Sequence, residues 1–107
     1  MMQLPHIDVS PEQWAIVHAI LKQRVPQYAV WAFGSRAAWK AKPFSDLDLA
    51  IITPQPLSWS TSAALAEDFA ESDLPFKVDI VDWAVTSAAF RKIIERDKVV
   101  LQSGDGL

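Results

Sequence analysis

Two aspartates one residue apart, Asp46 and Asp48, stand at the start of a predicted strand. Alternate residues of a strand point to the same face and lie about 6.5 to 7 Å apart along the backbone, so both carboxylates can reach one point. Converging carboxylates repel each other unless a cation lies between them, and oxygen ligands of this kind suit hard cations, especially Mg²⁺. The pair therefore predicts a metal site.

A third carboxylate, Asp79, lies on the next predicted strand, Phe76 to Trp83. Three carboxylates from two neighbouring strands can hold two metal ions about 3.5 to 4 Å apart. Such a pair activates an attacking oxygen and stabilises the leaving oxygen of an in-line displacement. We therefore predict Asp46, Asp48 and Asp79 as both metal ligands and catalytic residues.

A Gly-Ser pair, Gly34 and Ser35, follows the first predicted strand. Glycine lets the backbone approach a phosphate closely, and free N–H groups at the start of a following helix attract an anion. The Ser35 hydroxyl is a further donor, so the pair predicts a phosphate-binding turn. Arg36 and Lys77, the latter on the predicted strand face of Asp79, are equally consistent with nucleotide binding and with solvated surface charge.

Each of these features alone has a simpler interpretation. An Asp-x-Asp pair often marks a solvated strand edge, a Gly-Ser pair is usually only a turn, and a lone Asp79 would be a surface or helix-capping carboxylate. The specific feature is the combination, with ten residues between Ser35 and Asp46 and a third strand that carries Asp79.

The pattern G-S-x10-D-x-D, followed by V-D-I-V-D, resembles the signature of the minimal nucleotidyltransferases, small relatives of DNA polymerase beta. The resemblance covers about residues 28–83. It implies transfer of AMP from ATP to a hydroxyl acceptor, with the Gly-Ser pair on the triphosphate, Mg²⁺ on the three aspartates, and Asp79 also as the base. Many members read G-S-R-A-R-G, whereas this chain has Ala38 and Trp39 in place of the second Arg and the second Gly.

Small single-domain members of the family resemble the antitoxins of HEPN/MNT toxin–antitoxin pairs. That resemblance implies a HEPN-type partner, a tyrosine of which would receive the AMP. Two alternatives remain open: a non-catalytic antitoxin or binding module of the same fold, and a nucleotidyltransferase for small molecules. A single domain has no room for an acceptor domain, so we expect a partner or a second copy to supply the acceptor.

The composition limits the classes of protein that fit. With 107 residues, half of them hydrophobic and 21% charged, the chain fits one globular domain over residues 1–107. A net charge of −3 and a pI near 5.2 argue against direct nucleic-acid binding. No apolar run reaches the ~20 residues that cross a membrane, no secretory pattern opens the sequence, and there is no cysteine, so we expect a cytoplasmic protein.

The alternation of elements predicts an α/β fold, a single nucleotidyltransferase-fold domain in which helices flank a small mixed sheet. A capped helix begins at Ser10–Pro11, and Pro43 is expected to limit the helix after Gly34 to about two turns. The last residues, 103–107, are expected to fray. The remaining elements are predicted as strands at 28–33, 46–53, 76–83 and 98–101, and helices at about 58–72 and 88–96.

Overall fold

The computed structural model describes residues 4–104. Its elements follow the order α1 (Pro11–Arg24), β1 (Ala29–Phe33), α2 (Gly34–Ala37), β2 (Leu47–Ile52), α3 (Trp59–Ala70), β3 (Val78–Asp82), a 3₁₀ turn (Trp83–Val85), α4 (Ala88–Asp97) and β4 (Val99–Gln102).

One four-stranded sheet has the order β3-β2-β1-β4. β1 is antiparallel to both β2 and β4, whereas β2 and β3 run parallel. The predicted mixed sheet is therefore confirmed. As a result, β1 ends at the same edge of the sheet at which β2 and β3 begin.

The two faces of the sheet are covered differently. On one face, α1 and α3 pack against Leu47, Leu49 and Ile51 to form the main core. On the other, α4 inserts the fully buried Ile94 beside Phe33 and Ala50. Side chains alternate along β2, so Asp48 shares the face of Ala50, which is the face that α4 covers.

Helix ends follow the sequence cues. Ser10 and Gln13 form the predicted capping box at the start of α1, and Ser58 and Ser87 cap α3 and α4. Two features differ from prediction. α2 is a single turn of four residues that ends before Pro43, and an unpredicted 3₁₀ turn follows β3, because Asp82 accepts a hydrogen bond from the backbone N–H of Ala84.

The fraying predicted for 103–107 falls partly outside the described residues, which end at 104. Within them, Gly104 lies against the backbone of Gln27 and Tyr28. No helix among residues 4–104 combines the length and apolar character needed to span a bilayer.

Candidate active site

The predicted carboxylates meet at the sheet edge where β1 ends and β2 and β3 begin. In the strand register, Phe33 pairs with Asp48, and Asp48 pairs with Asp79 on the other side. Asp46 lies two residues before Asp48, immediately outside β2. The fold therefore places the Gly-Ser turn, which begins after Phe33, directly beside two aspartates from different strands.

Gly34 is in close contact with the carboxylate of Asp48. Its φ of +75° lies in the left-handed region, which favours glycine. A Cβ added at this position would collide with the Asp48 carboxylate. Both the backbone conformation and the space thus require glycine, and the turn predicted to bind phosphate touches a carboxylate predicted to bind metal.

The loop after Ser35 keeps a conformation that glycine would adopt more easily. The N–H of Lys40 donates to the carbonyl of Ser35 at 2.9 Å. This hydrogen bond is typical of a helix that is followed, just after its C-cap residue, by a residue in the left-handed conformation. That residue is Trp39, with φ of 58°. In the nucleotidyltransferase pattern that the sequence resembles, this position is glycine, whereas here a residue with a Cβ adopts the left-handed conformation.

Contacts to the N-terminal segment hold Trp39 in place. Its indole N–H donates to the His6 carbonyl at 3.3 Å, and the two rings lie 5.2 Å apart. These contacts offset part of the roughly 1 to 2 kcal/mol that a left-handed conformation costs a residue with a Cβ.

Arg36 is buried, with 5% of its surface exposed. Its guanidinium donates to the carbonyls of Ser45, Asp8 and Pro43 at 3.0, 2.8 and 2.9 Å, and it lies 4.0 Å from the centre of the Phe76 ring. With its donors occupied in this way, the side chain holds the loop between α2 and β2. We therefore revise the predicted phosphate contact of Arg36 to a positioning role.

Burial and the negative charges of neighbouring carboxylates dominate the electrostatics of the site. Burial, followed by the negative charges of Asp79 and Asp46, raises the pKa of Asp48 to about 6. Both causes disfavour the ionised form. A bound cation at this point would relieve the repulsion.

A cavity of about 520 Å³ opens over the two aspartates. Gly34, Asp48 and Asp79 line one side, and residues of α4 line the other: Phe90, Ile93, Arg96 and Asp97. Sequence reasoning missed this contribution of α4. The spacing of Phe90, Ile93 and Asp97, at i, i+3 and i+7, marks one helix face, but nothing in the sequence shows which face of the sheet that helix covers.

A larger cavity, of about 710 Å³, lies on the opposite face between α3 and β3. Its lining is mostly apolar, and it includes Lys77, which precedes β3. The carboxylates that could do chemistry line the smaller cavity, so we place the site there. The structure does not bring Lys77 to that cavity, and its predicted role in nucleotide binding stays a prediction.

Within residues 4–104, no three His, Cys, Asp or Glu side chains converge into a ready metal cluster. Asp48 and Asp79 nonetheless fit Mg²⁺, because this ion is commonly held by one or two carboxylates, with substrate phosphates and water completing its shell. The ligand roles of Asp46, Asp48 and Asp79, and the second ion, stay predictions.

Comparison with known proteins identifies the family of the chain. A family model described as "Polymerase beta, Nucleotidyltransferase" matches residues 16–106. A Haemophilus influenzae protein named "Probable protein adenylyltransferase MntA" is 53% identical over 102 residues, which cover 95% of this chain and 90% of that protein.

Solved structures share the fold at lower identity. A chain of a toxin–antitoxin complex with AMP-PNP matches with a TM-score of 0.72 and 22% identity, over 86% of this chain and 74% of that chain. A chain of a Shewanella oneidensis complex, a tri-AMPylated HEPN toxin with an MNT antitoxin, matches with a TM-score of 0.66 and 22% identity, over 86% and 71%. From the family model and the close relative together, this chain belongs to the polymerase beta-type nucleotidyltransferase family.

Proposed function

We propose that this protein transfers AMP from ATP to a tyrosine hydroxyl of a HEPN-type toxin, and so acts as an antitoxin. The observation that carries the proposal is the contact of Gly34 with Asp48, with Asp79 on the adjacent strand, because it joins a phosphate-binding turn to a pair of carboxylates. The relative that is 53% identical is named a probable protein adenylyltransferase, which supports the same reaction.

In this proposal the Gly34–Ser35 turn binds the triphosphate. Backbone N–H groups and the Ser35 hydroxyl are the donors, since α2 has only four residues and adds little helix dipole. Arg96, whose side chain lines the cavity, adds positive charge near the phosphates. Arg36 acts indirectly, by holding the carbonyl of Ser45 and hence the chain that leads to Asp46.

The carboxylates would hold Mg²⁺ at Asp48 and Asp79, with Asp46 beside them. The metal supplies charge neutralisation of the phosphates and of the developing negative charge. The tyrosine oxygen attacks the α-phosphorus of ATP, a new P–O bond forms, and pyrophosphate leaves. Asp79 accepts the phenolic proton, a role suited to its exposed position at the rim of the cavity. A cytoplasmic location is part of the proposal, because the reaction consumes ATP.

The test is transfer of label from ATP, with Mg²⁺, to a HEPN-type partner protein, followed by mass spectrometry of the modified residue. We expect AMP on a tyrosine, loss of transfer in Asp48→Asn, and loss when EDTA removes the metal. Asp73→Asn, which changes an exposed carboxylate between α3 and β3, is the matched control. Full transfer by Asp48→Asn, or transfer unaffected by EDTA, would contradict the proposal.

A second candidate, a binding module that neutralises the toxin by covering it, is favoured by the exposed aromatic residues. Trp59 and Phe44 are 85% and 77% exposed. Toxin neutralisation that survives the double change Asp46→Asn and Asp48→Asn would favour this candidate. Loss of neutralisation in a double variant that still binds the toxin would favour catalysis.

A further inference from the structure

The cavity over the aspartates has an apolar wall that the phosphates and the metal do not use. Phe90 and Ile93 of α4 line it, and they stay 37% and 46% exposed although Ile94, their neighbour, is fully buried. Exposed large apolar side chains beside a catalytic centre indicate a surface that a substrate covers. We infer that Phe90 and Ile93 form the binding surface for the nucleobase of the nucleotide substrate.

The position of Phe90 ties this wall to the phosphate-binding turn. Its ring packs edge-on against Phe33, with ring centres 5.8 Å apart and planes at 82°. Phe33 directly precedes Gly34 and pairs with Asp48 in the sheet. A nucleotide bound with its phosphates at Gly34 would therefore lie within the cavity that Phe90 also lines.

The chemistry of the wall matches a flat heteroaromatic ring. Any nucleobase can stack on an aromatic ring, whatever the arrangement of its hydrogen-bond donors and acceptors. Aliphatic side chains such as Ile93 pack well against the edge or the face of the base. The contact between Phe90 and Phe33 fixes the ring before the ligand arrives, which reduces the entropy lost on binding. The wall therefore contributes affinity for the base without a hydrogen bond of its own.

This inference rests on the proposed function, because it concerns the same cavity. It assigns to α4 a binding role that is separate from the turn and the aspartates. The phosphates and metal would be held at β1, β2 and β3, whereas the base would be held by a helix that follows them in sequence. Removing the wall should therefore weaken binding of a nucleotide without weakening binding of a bare triphosphate.

The experiment compares two ligands by titration calorimetry in the presence of Mg²⁺: the ATP analogue AMP-PNP, and inorganic tripolyphosphate, which has no base. Phe90→Ala should weaken AMP-PNP binding about 5- to 150-fold, the range expected for loss of one base–aromatic stack, and leave tripolyphosphate binding unchanged. If the unmodified protein binds AMP-PNP but not tripolyphosphate, ribose 5-triphosphate, which keeps the sugar and has no base, replaces tripolyphosphate in the comparison.

Phe90→Leu covers the case in which Phe90→Ala fails to fold, since it keeps an apolar contact with Phe33 and removes only the flat ring. It should also bind AMP-PNP more weakly than the unmodified protein. Val85→Ala shortens an exposed apolar side chain in the 3₁₀ turn, outside the cavity, and serves as the control, with AMP-PNP affinity unchanged.

Three results would overturn the inference. Equal losses for AMP-PNP and tripolyphosphate would mean that Phe90 only supports the turn through Phe33. Unchanged AMP-PNP affinity, with transfer to the partner protein reduced, would assign the wall to the acceptor. If the unmodified protein binds neither ligand, the proposed function is overturned as well. This outcome can be told apart from failure of the inference alone, because it is seen before any substitution is made.

Discussion

Replacing Asp48 with asparagine should stabilise the metal-free protein at neutral pH while it removes activity. The Asp48 carboxylate is half-buried, and burial, together with the charges of Asp79 and Asp46, raises its pKa from 3.8 to about 6. Above pH 6 the folded protein therefore holds an ionised group in an unfavourable position. Asparagine has nearly the same shape and no charge, so the substitution removes this cost.

The sign and the magnitude follow from proton binding. Below about pH 4, Asp48 is protonated in both the folded and the unfolded chain, and its charge costs nothing. Between about pH 4 and 6 the unfolded chain ionises while the folded protein resists, so the free energy of unfolding falls as pH rises. The change in pKa corresponds to about 3 kcal/mol, which solvent screening of a half-exposed group reduces to about 1 to 2 kcal/mol.

The assay is urea unfolding of both proteins in EDTA at pH 7.5 and pH 4. At pH 7.5, Asp48→Asn should unfold with a free energy about 1 to 2 kcal/mol higher, and its melting temperature should rise by about 4 to 8 °C for each of these kcal/mol. At pH 4 the difference should nearly vanish. Asp73→Asn, at an exposed position, should change stability little at either pH. A less stable Asp48→Asn at pH 7.5, or a gain that persists at pH 4, would refute the reasoning.

Three further predictions concern the turn and its supports. Gly34→Ala should lower the free energy of unfolding by about 2 to 4 kcal/mol and abolish AMP-PNP binding, because alanine would adopt a left-handed φ and its Cβ would collide with Asp48. An unchanged free energy of unfolding would contradict this. Trp39→Gly should be about 1 kcal/mol more stable than Trp39→Ala in the same assay, because both variants lose the ring but only glycine adopts the left-handed φ without strain. The reverse order of stability would show that the backbone at Trp39 is not strained. Arg36→Met should lower the free energy of unfolding by about 3 kcal/mol or more, because it leaves buried carbonyls without donors. Arg36→Lys should retain only part of the lost stability. An Arg36→Met variant as stable as the unmodified protein would exclude the positioning role.

The sequence predicts the order of elements, and it singles out the turn and the aspartates that the fold brings together, because both depend on local features. The Gly-Ser turn, the alternation around Asp46 and Asp48, and the cap at Ser10 each involve neighbours in the chain. The mixed sheet was predicted as well, and it explains how Asp48 and Asp79 become neighbours on parallel strands.

The features that the sequence does not show concern long-range packing. In sequence, Arg36 is equally consistent with phosphate binding and with solvated surface charge, whereas in the structure carbonyls of Asp8, 28 residues earlier, and of the loop before β2 accept its hydrogen bonds. The α4 wall depends on which sheet face the helix covers, which a helical pattern at Phe90 and Ile93 does not specify. The sequence also does not show how the loop accommodates Trp39, because contacts with His6, 33 residues earlier, offset part of the cost of its left-handed φ.

The most direct test of the central claim is transfer of labelled AMP to a HEPN-type partner protein by wild type, Asp48→Asn and Asp79→Asn, each at equal folded concentration. We predict that wild type labels a tyrosine of the toxin and neutralises it, and that both variants still bind the toxin but transfer no label. Labelling by either variant at the wild-type rate, or neutralisation by wild type without any label, would contradict the account.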